Sequence, residues 1–156
     1  MQGKNPPPIV GIARAGIIAA LYIAITLLLA PISFGVIQLR VSEAMTVLPI
    51  LFPEAIPGLF IGVFFANTVG GLGLVDMVGG SLVTLLAAYV TYRFRNSVIA
   101  YLSPILFNAF LISIYLHSLF AWPYLLTVLS IGVSQTIVVF GLGYPLVQVL
   151  KKVQKN

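Results

Sequence analysis

The sequence predicts an all-α integral membrane protein with six transmembrane helices, and three observations lead to this fold class. First, 60% of the 156 residues are hydrophobic and only 7% are charged, whereas about 25% of the residues in a soluble domain are charged. Second, the mean hydropathy is +1.13. Third, apolar runs of membrane length recur along the chain. A soluble domain of this composition would have too few charges to stay dispersed in water.

The apolar runs define the predicted helices of a single membrane domain covering residues 1–156. Residues 12–30 approach the ~20 residues that a spanning helix needs, and Pro31 is expected to end this helix. Residues 41–52 are too few to span alone, so they form either a short helix or the second half of a partly re-entrant segment. The predicted helices are approximately 12–30, 41–52, 54–70, 75–93, 97–120 and 123–150.

Proline, glycine and polar residues mark the breaks between these helices. Residues 1–8 end in three prolines and are expected to form a short extended arm. Residues 32–40 include Gln38 and Arg40, and this polar stretch predicts a loop that lies at the outer surface or dips into it. The turns around the third helix are predicted from Pro53, Pro57, Gly58, Gly70, Gly71 and Gly73.

The basic residues predict the orientation in the membrane. They flank the apolar runs, and cytoplasmic loops of membrane proteins carry an excess of Lys and Arg. Six spans place all the basic regions on one side, so both termini are predicted to be cytoplasmic in a multi-pass protein of the cell membrane. The formal charge of +5 therefore indicates topology and not nucleic-acid binding. These regions contain Lys4, Arg14, Arg93, Arg95, Lys151, Lys152 and Lys155.

All three acidic residues lie within residues 38–76, in sequence that is otherwise almost wholly apolar. A charge near the bilayer interior costs at least ~2.5–3.5 kcal/mol on insertion scales, so function is expected there. The predicted topology places Glu43 and Asp76 toward the outer side and Glu54 at an inner turn, where a helix-start or turn role is favoured. Alternatively, each outer carboxylate stabilises a helix N-terminus, or Glu43 pairs with Arg40.

Three amide side chains in apolar helices extend this candidate site. Asn67, Asn108 and Gln135 must find hydrogen-bond partners in lipid, either across helices or on a ligand. Together with the outer carboxylates they would present acceptors and amide groups from several helices, which suits a planar polar molecule with several N–H groups. The candidate substrate-binding residues are Arg40, Glu43, Asn67, Asp76, Asn108 and Gln135.

Motifs for catalysis are not evident in the sequence. It has no Cys and one His, His117, so no metal site or resident cofactor is expected. It also lacks a phosphate-binding glycine loop followed by Lys, so active transport would need energy from a partner or an ion gradient. The protein is predicted not to be an enzyme. A membrane-embedded enzyme is a weaker alternative that would have to use Glu43, Asp76 and His117, and a structural subunit would need no polar site.

Small residues recur at every fourth position of the first helix, at Gly16, Ala20 and Ala24, with Ala15 and Ala19 beside them. Such a stripe allows another helix to approach closely, because helix packing in lipid relies on small residues. The stripe either packs within the same subunit or docks onto a separate one.

Four sequence blocks resemble the QueT family, which comprises substrate-binding S components of energy-coupling factor transporters assigned to queuosine precursors. They are I-Q-L-R-V-S-E-A-M-T-V-L-P at 37–49, F-P-E-A-I-P-G-L-F-I-G at 52–62, A-N at 66–67, and G-L-G-L-V-D-M-V-G-G-S-L-V-T-L-L-A-A at 71–88. The resemblance implies a six-helix S-component fold with an outward-facing site. It also implies a transmembrane T component, contacted at Ala20 and Ala24, and two cytoplasmic ATPases.

One position departs from the family pattern. The sixth helix of the family often carries a small residue followed by Glu, where this chain has Ser134 and Gln135. The implied substrate is a 7-deazapurine such as 7-aminomethyl-7-deazaguanine or queuine, and the amide at Gln135 leaves the particular precursor open. Another small vitamin is the alternative substrate within the same class of protein.

Overall fold

The computed structural model of the protein describes residues 7–34 and 39–154, and these residues form helices and connections without a strand. Lys4, Gln38 and Lys155, to which the sequence analysis assigned topology or loop roles, lie outside the described residues. The helical elements are α1 (Pro8–Leu28), α2 (Ala30–Ser33), a 3-10 helix (Val41–Ile50), α3 (Ala55–Asn67), α4 (Gly73–Arg93), α5 (Ile99–Phe107), a π-helical turn (Asn108–Ile112), α6 (Ser113–Phe120), α7 (Tyr124–Val138), a second π-helical turn (Val139–Gly143) and α8 (Tyr144–Val153).

Four helical stretches in the described part of the chain are long and apolar enough to cross a membrane. The third of them joins α5, the first π-helical turn and α6, and the fourth joins α7, the second π-helical turn and α8. The 3-10 helix and α3 are apolar but shorter than a span. The six-span topology therefore stays a prediction. The four long stretches are Pro8–Leu28, Gly73–Arg93, Ile99–Phe120 and Tyr124–Val153.

Several prolines lie inside helices that they were expected to precede or end. Pro8 is the first residue of α1 and not part of an extended arm, and Pro31 lies in the first turn of α2 and does not end α1. Pro57 is likewise in the first turn of α3, so the preceding turn occupies residues 51–54. Proline is tolerated there because the first N–H groups of a helix have no partner within it. The start of the predicted loop, at Ile32 and Ser33, is helical.

The 3-10 helix lies at the centre of the fold. Nine of its ten residues are buried, and it contacts α1, α3, α4, α5, α7, α8 and the second π-helical turn. Gly143 of that turn packs directly against it, since a Cβ at this glycine would lie 3.0 Å from the carbonyl oxygen of Ala44. A short, irregular helix is tolerated among apolar helices when protein surrounds it.

The small residues of α1 divide between two faces. A Cβ at Gly58 of α3 would lie 2.7 Å from the carbonyl oxygen of Ala15, and one at Gly62 would lie 3.3 Å from Cα of Ala19. Internal packing of α1 against α3 therefore uses Ala15 and Ala19. The stripe of every fourth residue faces outward instead, with Gly16, Ala20 and Ala24 exposed.

Candidate ligand-binding site

Glu43 is held by two other elements of the fold. It lies in the first turn of the 3-10 helix and is almost fully buried. The hydroxyl of Tyr22, on α1, donates to its Oε1 at 2.5 Å, and Nδ2 of Asn108, in the first π-helical turn, donates to its Oε2 at 3.1 Å. The expected alternative of a Glu43–Arg40 pair is wrong, because within the described residues the ion pair found below 4.0 Å is Arg14–Glu54.

A second network lies around Asp76, in the first turn of α4. The hydroxyl of Tyr115, on α6, donates to Oδ1 of Asp76 at 2.6 Å. The amide of Asn67 bridges two groups, since its Nδ2 donates to the Asp76 carbonyl at 2.8 Å and its Oδ1 accepts from the Arg40 guanidinium at 2.8 Å. Asn67 therefore joins the end of α3, the start of α4 and the residue that precedes the 3-10 helix.

Gly80 makes room for this second network. A Cβ at this position would lie 2.7 Å from Nδ2 of Asn67, 3.6 Å from Oδ1 of Asp76 and 3.7 Å from the hydroxyl of Tyr115. A glycine one turn after Asp76 thus allows three polar side chains from three helices to meet against the backbone of α4.

Arg40 connects the two networks by hydrogen bonds, because its guanidinium donates to Asn67 and its carbonyl oxygen accepts from the backbone N–H of Glu43 at 3.1 Å. The guanidinium also lies over the ring of Phe34 at 5.0 Å from the centroid. An aromatic face stabilises a cation while leaving its N–H groups for other acceptors. The two networks with Arg40 are called the buried polar cluster below, and its members are Tyr22, Arg40, Glu43, Asn67, Asp76, Asn108 and Tyr115.

Several polar atoms in and beside the buried polar cluster have no hydrogen-bond partner among the described residues. Three are acceptors, Oδ2 of Asp76, Oδ1 of Asn108 and Oε1 of Gln135; Nε of Arg40 is a donor, and the hydroxyl of Ser113 can donate or accept. A buried polar group without a partner costs about 1–3 kcal/mol. Buried polar atoms are paired in the large majority of cases, so this group of atoms is suited to hydrogen-bonding a ligand.

The structure joins five of the six predicted site residues by hydrogen bonds: Arg40 with Asn67 and Asp76 in one network, and Glu43 with Asn108 in the other. Gln135 is buried on α7, which packs against the π-helical turn that carries Asn108. The role of Gln135 in the site stays a prediction.

The sequence analysis missed the two tyrosines that orient the carboxylates. A signal was available in both cases, because a tyrosine inside an apolar helix needs a hydrogen-bond partner for its hydroxyl. Tyr22 is fully buried, and the hydroxyls of Thr26 and Ser42 beside it lie 2.7 Å apart. Tyr22 and Thr26 lie on α1 and Ser42 lies on the 3-10 helix, so these three side chains extend the contact between the two elements.

Glu54 and His117 lie outside the buried polar cluster. Glu54 immediately precedes α3 and its Oε1 lies 3.3 Å from the Arg14 guanidinium. His117 is exposed, and its Nδ1 lies 2.7 Å from the carbonyl oxygen of Trp122. No group of three or more His, Cys, Asp or Glu side chains in the described residues could hold a metal ion.

A family model described as QueT transporter matches residues 12–152. The chain belongs to the QueT transporter family. Membership agrees with the resemblance seen in the sequence, and it assigns this QueT family member to transport across a membrane. No curated protein and no solved structure matches the chain. A transport role is consistent with a protein that is not an enzyme, and it gives the buried polar cluster a natural role in holding a small molecule.

Proposed function

We propose that this QueT family member is the substrate-binding S component of an energy-coupling factor transporter. It captures a queuosine precursor, a 7-deazapurine such as 7-aminomethyl-7-deazaguanine or queuine, from outside the cell for ATP-driven uptake. The observation that carries this proposal is the buried polar cluster, in which two carboxylates and two amides from different helices converge inside an apolar fold. A purely structural subunit would not need this convergence.

The chemistry of a deazaguanine fits the groups that the cluster offers. Its guanine-like edge presents an N1–H and an exocyclic amine side by side, and one carboxylate can accept both in a charge-assisted pair. Asp76 is the better candidate for this contact, because its Oδ2 has no partner among the described residues, whereas both oxygens of Glu43 accept bonds from protein groups. Asn67, Asn108 and Gln135 would hold the remaining ring positions.

A site that opens to the outside is supported by the polarity of α4. Asp76 lies in its first turn and Arg93 is its last residue, so about 25 Å of helix separates them. Basic residues are enriched on the cytoplasmic side of membrane proteins, and this supports a cluster that faces the opposite surface. The proposed topology has six crossings and cytoplasmic termini in the prokaryotic cell membrane, with the 3-10 helix and α3 as the two short crossings.

The proposed partners are a transmembrane T component and two cytoplasmic ATPases. The sequence contains no phosphate-binding glycine loop, so ATP hydrolysis has to occur in other subunits. The T component would dock on the exposed face of α1 at Gly16, Ala20 and Ala24, where nothing lies within 4 Å of a Cβ built on Gly16. Close helix contact across small residues is the usual mode of packing in lipid.

Ligand binding by the purified protein tests the proposal. Small molecules that co-purify are identified by mass spectrometry, and affinity is then measured by calorimetry for 7-aminomethyl-7-deazaguanine, queuine and a panel of water-soluble vitamins. Tight binding of a deazapurine alone supports the proposal. Binding of a vitamin in its place would assign the protein to a different substrate, and absence of binding by all of these compounds would contradict the S-component role.

A further inference from the structure

An apolar groove lies between α1, the 3-10 helix and α8, and it is called the α1–α8 groove below. Its volume is about 370 Å³, and nine of the ten described residues that line it are apolar. Ile17 and Leu21 line it from α1 and are exposed, and Leu146 and Leu150 line it from α8. The tenth lining residue is Arg14, so an open apolar surface here includes one cation.

This cation lies at one end of the α1–α8 groove. Arg14 is the first of the lining residues along α1, and its guanidinium lies over the ring of Phe52 at 5.2 Å from the centroid. It also donates to Oε1 of Glu54 at 3.3 Å. The Arg14 side chain is 43% exposed and that of Glu54 only 13%, so the cation is the more accessible member of the pair. A guanidinium has five N–H donors, and the bond to Glu54 uses one of them.

Two further basic residues lie at the same end of the groove. Leu150, the last lining residue on α8, is followed directly by Lys151 and Lys152, which are exposed in the last turn of that helix. Neither lysine has an acidic partner within 4.0 Å among the described residues, where the ion pair found is Arg14–Glu54. In the proposed topology this end of the groove is cytoplasmic.

The length of the groove corresponds to one leaflet of a bilayer. Its lining on α1 extends from Arg14 to Ile25, which is about 16 Å of helix. The hydrocarbon core of a bilayer is ~30 Å thick, so the groove begins at the cytoplasmic boundary and ends near the middle of the membrane. A spanning helix of a partner protein would need an apolar surface about twice as long. An acyl chain of the cytoplasmic leaflet fits this length, with its headgroup at the basic end.

We propose that the α1–α8 groove binds one anionic phospholipid of the cytoplasmic leaflet. One acyl chain lies along the apolar residues, and the phosphate accepts hydrogen bonds from Arg14 while Lys151 and Lys152 add positive charge. Arginine suits this role because its N–H groups bind phosphate in parallel pairs, and basic pockets between transmembrane helices on the cytoplasmic side bind anionic headgroups. The site is separate from the buried polar cluster. It depends on the proposed orientation and not on the identity of the substrate.

A second apolar groove provides an internal control. It lies between α5, the first π-helical turn and α7, and its volume of about 380 Å³ is nearly the same. None of the described residues that line it is charged; they include Leu129, Gly132 and Val133. A lipid chain in this groove would have no basic residue beside its headgroup, so we expect no preference for anionic lipids there.

Native mass spectrometry of the full-length protein in detergent tests the proposal. The protein is titrated with dioleoyl phosphatidylglycerol and with dioleoyl phosphatidylcholine, which have the same acyl chains and differ in headgroup charge. We expect one phosphatidylglycerol to be retained with an affinity at least ~10-fold higher than that of phosphatidylcholine, because each basic residue near the headgroup attracts the anionic lipid. Leu21→Trp and, independently, Ile17→Trp should remove this retained lipid by filling the groove. Val133→Trp, in the uncharged groove, should retain it as the wild type does.

A second set of variants tests the basic end of the groove. Arg14→Gln combined with Glu54→Gln removes the guanidinium without leaving the carboxylate unpaired, and it should reduce the preference for phosphatidylglycerol to within a few-fold. Arg93→Gln combined with Arg95→Gln removes two basic residues that do not line the groove, so it should keep the full preference. Thermal unfolding of each variant shows whether it is folded.

The alternative results would each overturn the proposal. Equal affinities of the wild-type protein for the two lipids would exclude a role for the basic residues, and this comparison needs no variant. Unchanged retention in both Leu21→Trp and Ile17→Trp would place the lipid elsewhere, and equal loss in Val133→Trp would indicate unspecific lipid around the protein. Variants that keep the lipid but no longer co-purify with a T component would assign the groove to a protein interface.

Discussion

Tyr22 and Glu43 are joined by a 2.5 Å hydrogen bond from the tyrosine hydroxyl to Oε1 of the carboxylate. This contact links α1, whose opposite face exposes Gly16, Ala20 and Ala24, to the 3-10 helix at the centre of the fold. A movement of α1 against a partner would therefore act on a carboxylate of the proposed site.

Tyr22→Phe should weaken ligand binding at least ~10-fold. The substitution keeps the ring and removes only the hydroxyl, so Oε1 of Glu43 loses its donor and the carboxylate is held by Asn108 alone. The loss of one hydrogen bond to a charged group corresponds to about 1.5–3 kcal/mol. Calorimetric affinity is the measurement. Tyr89→Phe, at an exposed tyrosine of α4, is the control, and equal effects of the two substitutions would contradict a role for Tyr22 in the site.

Removal of either carboxylate of the buried polar cluster should weaken ligand binding more than Tyr22→Phe does. Glu43→Ala or Asp76→Ala is expected to weaken binding of the deazapurine by ~2–5 kcal/mol if that acid is the buried partner of the ligand. Glu54→Ala should leave affinity unchanged, because Glu54 pairs with Arg14 away from the cluster. Wild-type affinity in both cluster variants would remove the proposed mode of recognition.

Gly79 and Gly80 are adjacent in α4, and replacing each by alanine should change the stability of the protein in opposite directions. A Cβ at Gly80 would lie 2.7 Å from Nδ2 of Asn67, so Gly80→Ala must displace an amide that bonds both Arg40 and Asp76. Forcing an extra carbon into a packed site costs about 1–3 kcal/mol. A Cβ at Gly79 would lie 3.5 Å from the nearest atom, on the ring of Tyr115. This is an ordinary van der Waals contact.

Gly79→Ala is therefore expected to be neutral or stabilising, because alanine is favoured over glycine in a helix by roughly 0.5–1 kcal/mol. Thermal unfolding in detergent and calorimetric affinity report the two effects. A Gly80→Ala variant as stable and as tightly binding as Gly79→Ala would mean that the close approach of Asn67 to α4 has no energetic importance.

Ala20→Trp or Ala24→Trp should abolish ATP-driven uptake and co-purification with the T component, yet leave substrate binding by the isolated protein nearly unchanged. Both positions are exposed, so a bulky side chain separates α1 from a partner helix without entering the core. Leu129 is also exposed, but it lies on α7 and not on α1. Leu129→Trp is therefore the control for the effect of an exposed tryptophan outside the stripe.

If the stripe of Gly16, Ala20 and Ala24 is a docking surface, the variants lose uptake and complex formation but keep ligand binding. Should Ala20→Trp and Ala24→Trp lose ligand binding together with complex formation, the substitutions would be disturbing the fold itself. The same result with Leu129→Trp would indicate a general effect of bulk on the membrane surface.

Much of the candidate site was predictable because polar residues are rare in this chain. A buried charge or amide in apolar sequence needs a partner or a ligand, and this reasoning alone identifies Glu43, Asp76, Asn67 and Asn108, which the structure buries. Tyr22 and Tyr115 give a weaker signal, because they are two of seven tyrosines in the chain, whereas it has only three acidic residues. Their role depends on which helix faces them.

The amino-acid sequence by itself determined the class of protein, the order of the helical segments and the family, because composition, apolar run length and local motifs are properties of neighbouring residues. Tertiary structure alone decided the pairings. Glu43 bonds Tyr22 and Asn108 and not Arg40, and Ala19 packs on α3 while its neighbour Ala20 is exposed. Successive helical residues point about 100° apart, so the face that meets the core depends on how distant helices assemble.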